Sequence, residues 1–218
     1  MAYDKVFTEE ELISTAFARY PELEVCREDI LRACDALEAC YNGGGRVLLC
    51  GNGGSSADCA HIAGELLKGF LSLRRLPADV RAELEKSGEL GTLCAEKLQG
   101  SLAAVDLTAQ GAIIAAVAND TDPRLAYAQQ LWGLGRKGDV LIGLSTSGNA
   151  ENVRCAGIAA KALGMVRIAM TGETGGKMGE EFDIAIRVPS RHTPDVQELH
   201  LPVYHLLCAV TEYRLFHK

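Results

Sequence analysis

His61 and Glu65 lie four residues apart in a stretch of helical periodicity, so an imidazole and a carboxylate share one helix face, one turn apart. Such a pair suits acid/base chemistry or metal ligation. Just before it comes Gly51-Asn52-Gly53-Gly54-Ser55-Ser56, a turn between the apolar run 47–50 and a predicted helix over 57–70. A strand, a glycine turn and a helix in that order leave unpaired N–H groups and the positive end of the helix dipole facing one point, a seat for an anion. The two serines add hydroxyl donors. An anion cradle and an acid/base pair therefore lie one to two helical turns apart.

The second half of the chain repeats this grammar. Ser145-Thr146-Ser147-Gly148-Asn149 separates the apolar run 140–144 from a predicted helix over 150–163. One hydroxyl would serve as an N-cap; three in succession exceed that need and read as a neutral phosphate cradle. In the closing helix, predicted over 193–216, Gln197, Glu198, His200 and His205 interrupt apolar neighbours. Gln197 and His205, eight apart, fall about two turns along roughly one side. Spacing alone does not bring them to His61 and Glu65. Cys59, beside the first turn, is read as a packing residue, with a pKa lowered by the helix N-terminus as its alternative. Arg74-Arg75 is read as a solvent-facing pair, or else a reach toward a substrate phosphate.

The elements that must position these groups follow from pattern. Residues 8–41 read as helical, with Thr8 and Glu11 at capping-box spacing, a split at Pro21 and a stop at Asn42-Gly43-Gly44-Gly45. Residues 1–45 thus form N-terminal helices and 71–110 a helical insert. Residues 111–118 are small and apolar, and Asn119 to Pro123 form a polar turn. Further strands are predicted over 166–170 and 183–188 around a polar loop at 171–177. Thr193 and Pro194 suit N-cap and first helical position, and Pro202 should kink the closing helix. Alternating strands and helices predict one α/β domain over 1–218, a parallel sheet with helices on both faces and ligands at the carboxyl ends of its strands.

Composition excludes some classes. A net charge of −7 argues against non-specific nucleic-acid binding. No apolar run approaches the ~20 residues of a membrane span, and the first ten residues lack a secretory h-region. Eight cysteines without CxxC spacing read as reduced packing residues of a cytoplasmic protein.

In their order, Gly51-Asn52-Gly53-Gly54-Ser55, His61-x-x-x-Glu65, Asn119-Asp120, Ser145-Thr146-Ser147-Gly148-Asn149, Thr171-Gly172 with Gly175-Gly176-Lys177-Met178, and Gln197-Glu198-x-His200 with His205 resemble the phosphoheptose isomerase branch of the sugar isomerase (SIS) domain family. The resemblance spans nearly the whole chain. It implies a flavodoxin-like sheet and a homotetramer with sites between subunits. It also implies that Asn52, Gly53, Gly54 and Ser55 line the sugar-phosphate site, that Ser145, Thr146 and Ser147 hold the phosphate, and that Asn119 and Asp120 contact sugar hydroxyls. Gln197 belongs to the substrate site as well. Glu65 and His205 become the acid/base pair, and His61, Glu65, Gln197 and His205 match positions that bind zinc in some members. Glu65 cannot be a metal ligand and a free base at once unless coordination is loose.

The implied reaction, sedoheptulose 7-phosphate to its aldose through an enediol, needs one group to move a proton between carbons and another to move one between oxygens. Three departures bear on the substrate. Ala150 stands where a third serine is common, Lys68-Gly69-Phe70 replaces a Gly-Arg-aromatic pattern, and Pro194-Asp195 replaces an Asp-Arg pair. Rival readings are an isomerase of another sugar phosphate, a sugar-phosphate sensor, and a non-catalytic SIS scaffold for a replication initiator. Retention of His61, Glu65, Gln197 and His205 together speaks against the scaffold.

Overall fold

Apolar runs without polar alternation make strands where both faces are covered, and this chain uses them so. The computed structural model describes residues 7–217. Five parallel strands, β1 (Val47–Cys50), β2 (Ala104–Asp106), β3 (Val140–Leu144), β4 (Val166–Thr171) and β5 (Ile184–Arg187), lie in the order β2-β1-β3-β4-β5. That is the flavodoxin-like order, whose direction switches between β1 and β3. Both of these strands are buried throughout. Successive residues feed opposite cores: Val47, Leu49, Val140 and Ile142 one, Leu48, Cys50 and Leu141 the other.

The first core is covered by α1 (Glu9–Arg19), α2 (Arg27–Asn42), α3 (Gly54–Leu67) and α10 (Thr193–Phe216); the second by α7 (Ala126–Leu134), α8 (Glu151–Leu163) and α9 (Met178–Glu181). The Thr8 capping box forms with both reciprocal bonds. Pro21 opens a 3₁₀ turn, Pro21–Cys26, that separates α1 from α2. The stripe Ile30, Ala33, Cys34 and Leu37 is buried to 1 % exposure or less. Each of its larger members contributes about 1.5–3 kcal/mol by leaving water.

Several expectations are corrected. α3 starts at Gly54, three residues earlier than predicted, so Ser55 and Ser56 belong to its first turn. It ends at Leu67, before Gly69, not at Phe70. The stretch 71–110 holds two helices, α4 (Ala78–Glu85) and α5 (Glu89–Lys97), but also β2, an edge strand paired with β1. Asn119 and Asp120 are the last residues of α6 (Gly111–Asp120), not part of a turn. The α10 N-cap is His192, not Thr193, while Pro202 lies inside the helix as expected. Helices α7 and α9 lie in stretches where no helix was predicted.

Arg74 lies neither in solvent nor toward a ligand. Its side chain has no exposed surface and pairs with Glu212 of α10 at 2.7 Å. Cys59 is buried and its pKa is raised, burial being the largest cause, so it is a packing thiol and not an activated one. All eight cysteines are free.

His200, on the core side of α10, is fully buried, with Nε2 3.3 Å from the Thr171 carbonyl and Nδ1 unpartnered. Burial pushes its pKa down to about 4. The folded chain therefore keeps this ring neutral to about pH 4, while the unfolded chain protonates it below the ordinary 6.5. Unfolded protein binds more protons in that window, so stability falls as pH drops from 6.5 to 4, by about 3 kcal/mol from this group. Urea melts across that range should show a shallower acid slope in His200→Leu than in the native chain.

Candidate active site

Helices α3 and α10 run side by side in the same direction. Gln197, in the first turn of α10, packs on Gly54 at the start of α3, where a Cβ would collide with its amide. One to two turns on, Tyr204 and His205 meet His61. Gly53 caps α3 with φ +57° and ψ −122°, a backbone that only glycine adopts without strain. Among the described residues no acceptor takes the backbone N–H of Gly53, Gly54, Thr146 or Ser147. Both predicted turns thus present free donors at the carboxyl ends of β1 and β3.

The hydroxyls of the second turn are partly committed. Ser145 Oγ accepts from Ala150 N at 3.4 Å, and Ser147 Oγ from Asn149 N at 3.2 Å. The loop after β4 buttresses this turn: Gly172 N donates to Thr146 O, Met178 N to Gly148 O, and Lys177 N to Asn149 Oδ1. That support accounts for the Gly172 to Met178 motif. Ser55 is buried beneath the first turn.

The residues expected to do acid/base chemistry form one side-chain cluster. His61 Nε2 lies 3.1 Å from Glu65 Oε1, and Lys68 Nζ is 3.1 Å from the other Glu65 oxygen. The His61 and His205 rings meet edge to face, centroids 5.1 Å apart, and Phe70 covers His205 at 5.3 Å. Burial pushes the His205 pKa down, the neighbouring His61 adds to this, and Glu65 opposes it. Its Nε2 is buried without a hydrogen-bond partner. His61 Nδ1 is 2.9 Å from the Tyr204 hydroxyl, which also reaches Asp58 Oδ1 at 3.4 Å. Burial raises the Asp58 pKa. Tyr204 and Asp58 were missed in the sequence because Tyr204 sits in an apolar run and reads as packing. Asp58 does lie three residues before His61, on the same helix face, which was the available signal.

The structure brings Glu65, His61 and His205 together, and separately gathers Asn52, Gly53, Gly54, Ser55, Gln197 and the 145–147 turn at the switch point. Gln197 is about 12 Å along the axis from His205, so it does not share a point with the two imidazoles and Glu65. Asn119 and Asp120 bond each other at 2.7 Å and join neither group within the chain. Among the described residues no three His, Cys, Asp or Glu side chains form a metal-holding group. No helix there is long and apolar enough to cross a membrane.

Two turns with free N–H groups thus meet at the switch point of a doubly wound sheet, with an imidazole–carboxylate cluster one to two turns along the same helix, and residues 97–172 match the family model of the SIS domain. The chain is 38% identical over 205 residues to a phosphoheptose isomerase of Desulfovibrio desulfuricans, covering 94% of this chain and 83% of that protein. It is 36% identical to one from Helicobacter pylori, covering 96% and 98%. Among solved structures, phosphoheptose isomerase GmhA from Neisseria gonorrhoeae superposes with a TM-score of 0.70 at 32% identity, over 94% of this chain and 99% of that one. The chain belongs to the phosphoheptose isomerase family and is a sugar-phosphate isomerase.

Proposed function

We propose that this chain converts sedoheptulose 7-phosphate to D-glycero-D-manno-heptose 7-phosphate through an enediol. The observation that carries the reading is the meeting, within one chain, of Glu65 and His205 around His61. In the proposed mechanism the substrate phosphate sits on the free N–H groups and hydroxyls of the two turns, with Asn52 and Gln197 at the same end. The cradle and the acid/base cluster are roughly 10 Å apart along α3, from Gly54 to His61, a span suited to a phosphate several carbons from the reacting centre. Glu65 removes the proton from one carbon and returns it to the next. His205, kept neutral by burial, carries a proton between the two oxygens. Asn119 and Asp120 would reach sugar hydroxyls from a neighbouring copy.

The donor types at the cluster suit zinc, and the unpartnered His205 Nε2 is a free ligand atom. His61, Glu65 and His205 do not form a metal-holding group as they stand and would have to draw together to hold the ion, with Glu65 only loosely coordinated so that it still serves as base; Gln197 would have to move from Gly54 to join them. Zinc would polarise the substrate carbonyl. Metal analysis of the purified protein is expected to find about one zinc per site, and His61→Ala to lose it. Chelation should also lower the melting temperature of the native chain but not that of the variant.

The homotetramer is part of the same proposal. Helix α6 exposes Ile113 together with Ala112, Ala115, Ala116 and Ala118, and Trp132 nearby in sequence is 59 % exposed. A single SIS domain over 1–218 and a cytoplasmic location complete the reading. The deciding experiment follows sedoheptulose 7-phosphate by NMR, with and without chelator. A folded tetramer that leaves the ketose unchanged with zinc supplied would refute the function.

A further inference from the structure

The turns after β1 and β3 leave strands that are paired up to Cys50 and Gly143, but lead to helices on opposite faces of the sheet, α3 and α8; beyond the ladder, among the described residues, no backbone hydrogen bond joins the two turns across the crevice. One side-chain contact spans it. Asn52 of the first turn and Asn152 in the first turn of α8 exchange two hydrogen bonds: Asn52 Nδ2 donates to Asn152 Oδ1 and Asn152 Nδ2 to Asn52 Oδ1, each at 2.9 Å. The orientation of both amides is fixed by their neighbours. The Tyr127 hydroxyl donates toward Asn52 Oδ1 at 3.2 Å and Gly51 O at 2.7 Å, and Val153 N donates to Asn152 Oδ1 at 3.0 Å. Flipping the Asn152 amide would set its N–H against that of Val153, and the reciprocal pairing then fixes Asn52.

Tyr127 is buried in the second core, so the clamp is anchored below the crevice as well as across it. It also uses both polar ends of Asn52. That residue can hold the two walls of the phosphate site in register while the second hydrogen of its amide is left for a ligand. The free N–H groups of Gly53 and Gly54 lie on one wall and those of Thr146 and Ser147 on the other. An anion bonded to both walls needs them at a set separation, since hydrogen bonds weaken steeply with distance and angle. Ala150, with no hydroxyl to add, leaves this grip more dependent on that separation.

We propose that Asn152, backed by Tyr127, is a positioning residue for phosphate binding: through Asn52 it fixes the spacing of the two anion-binding turns. The inference rests on the phosphate site proposed above but not on the isomerisation. The test is binding of inorganic phosphate, read by 31P NMR titration and by competition, alongside steady-state kinetics with sedoheptulose 7-phosphate. Asn152→Ala is expected to weaken phosphate roughly fivefold to tenfold and raise KM by a similar factor, the scale of one or two hydrogen bonds. kcat should stay within about twofold, which general destabilisation would not produce. Tyr127→Phe, which removes only the hydroxyl, should shift phosphate binding in the same direction by less, and decides the matter if Asn152→Ala does not fold. Phosphate affinity unchanged in the folded variants, or no phosphate binding by the native protein, overturns the inference. Asn152-dependent phosphate binding in a protein that does not isomerise the heptose would sustain it while refuting the proposed reaction.

Discussion

Glu65→Gln is expected to cut turnover of sedoheptulose 7-phosphate by about 10²–10⁴-fold, the range for loss of a positioned general base, while the protein stays folded. The substitution is nearly isosteric, and the side chain it replaces is 14 % exposed, not sealed in the core. A glutamine oxygen can still accept from Lys68 or His61, so the cluster keeps its shape and loses its base. Proton transfer through an enediol also exchanges the migrating hydrogen with solvent. Native enzyme in deuterium oxide should therefore place deuterium on the carbon next to the carbonyl, and Glu65→Gln should not. His205→Asn should lower turnover too, yet leave some of that exchange, because Glu65 can still form the enediol without the oxygen-to-oxygen shuttle. Native-like turnover or exchange in Glu65→Gln would remove Glu65 from the chemistry.

The fold was legible where burial is uniform and local. Val47-Leu48-Leu49-Cys50 and Val140 to Leu144 are continuous apolar runs bounded by glycine or serine turns, and both became strands at the predicted residues. The edge strand Ala104-Val105-Asp106 was not legible: three half-buried residues paired on one side leave no run to detect. The two anion turns could be read because their chemistry sits in consecutive residues. The approach of α10 to α3 could not, since it joins residues more than 140 positions apart, as in His61 with Tyr204; family resemblance supplied that expectation. Asn152 and Tyr127 escaped for the same reason. Each looks ordinary beside its sequence neighbours, and only the crossing at the switch point gives it a partner. Arg74 was misread because a charged side chain next to a second arginine defaults to solvent, and its partner lies 138 residues on.

That partner carries the largest expected stability effect. Glu212, 2 % exposed, accepts from the backbone N–H groups of Phe70, Leu71 and Ser72 at 2.8, 2.8 and 3.1 Å and from Arg74 Nε at 2.7 Å. Arg74 in turn donates to the Leu66 and Glu65 carbonyls at the end of α3, where helical carbonyls lack partners of their own. Glu212→Ala strands a buried guanidinium and uncaps the 70–72 loop together, so the expected loss is about 3–5 kcal/mol, roughly 10 °C in melting temperature. Replacing both partners with leucine separates the two causes. If the cost is the stranded charge alone, the double variant should recover most of the stability, because apolar pairs often replace buried ion pairs without loss. Three loop N–H groups would still lack an acceptor, so recovery is expected to be partial. The loop also carries Phe70 onto His205, and the surviving deficit should appear in KM and kcat of the double variant. Urea melts showing less than about 1 kcal/mol lost in Glu212→Ala would mean that solvent already satisfies this loop and that the latch does not hold the site.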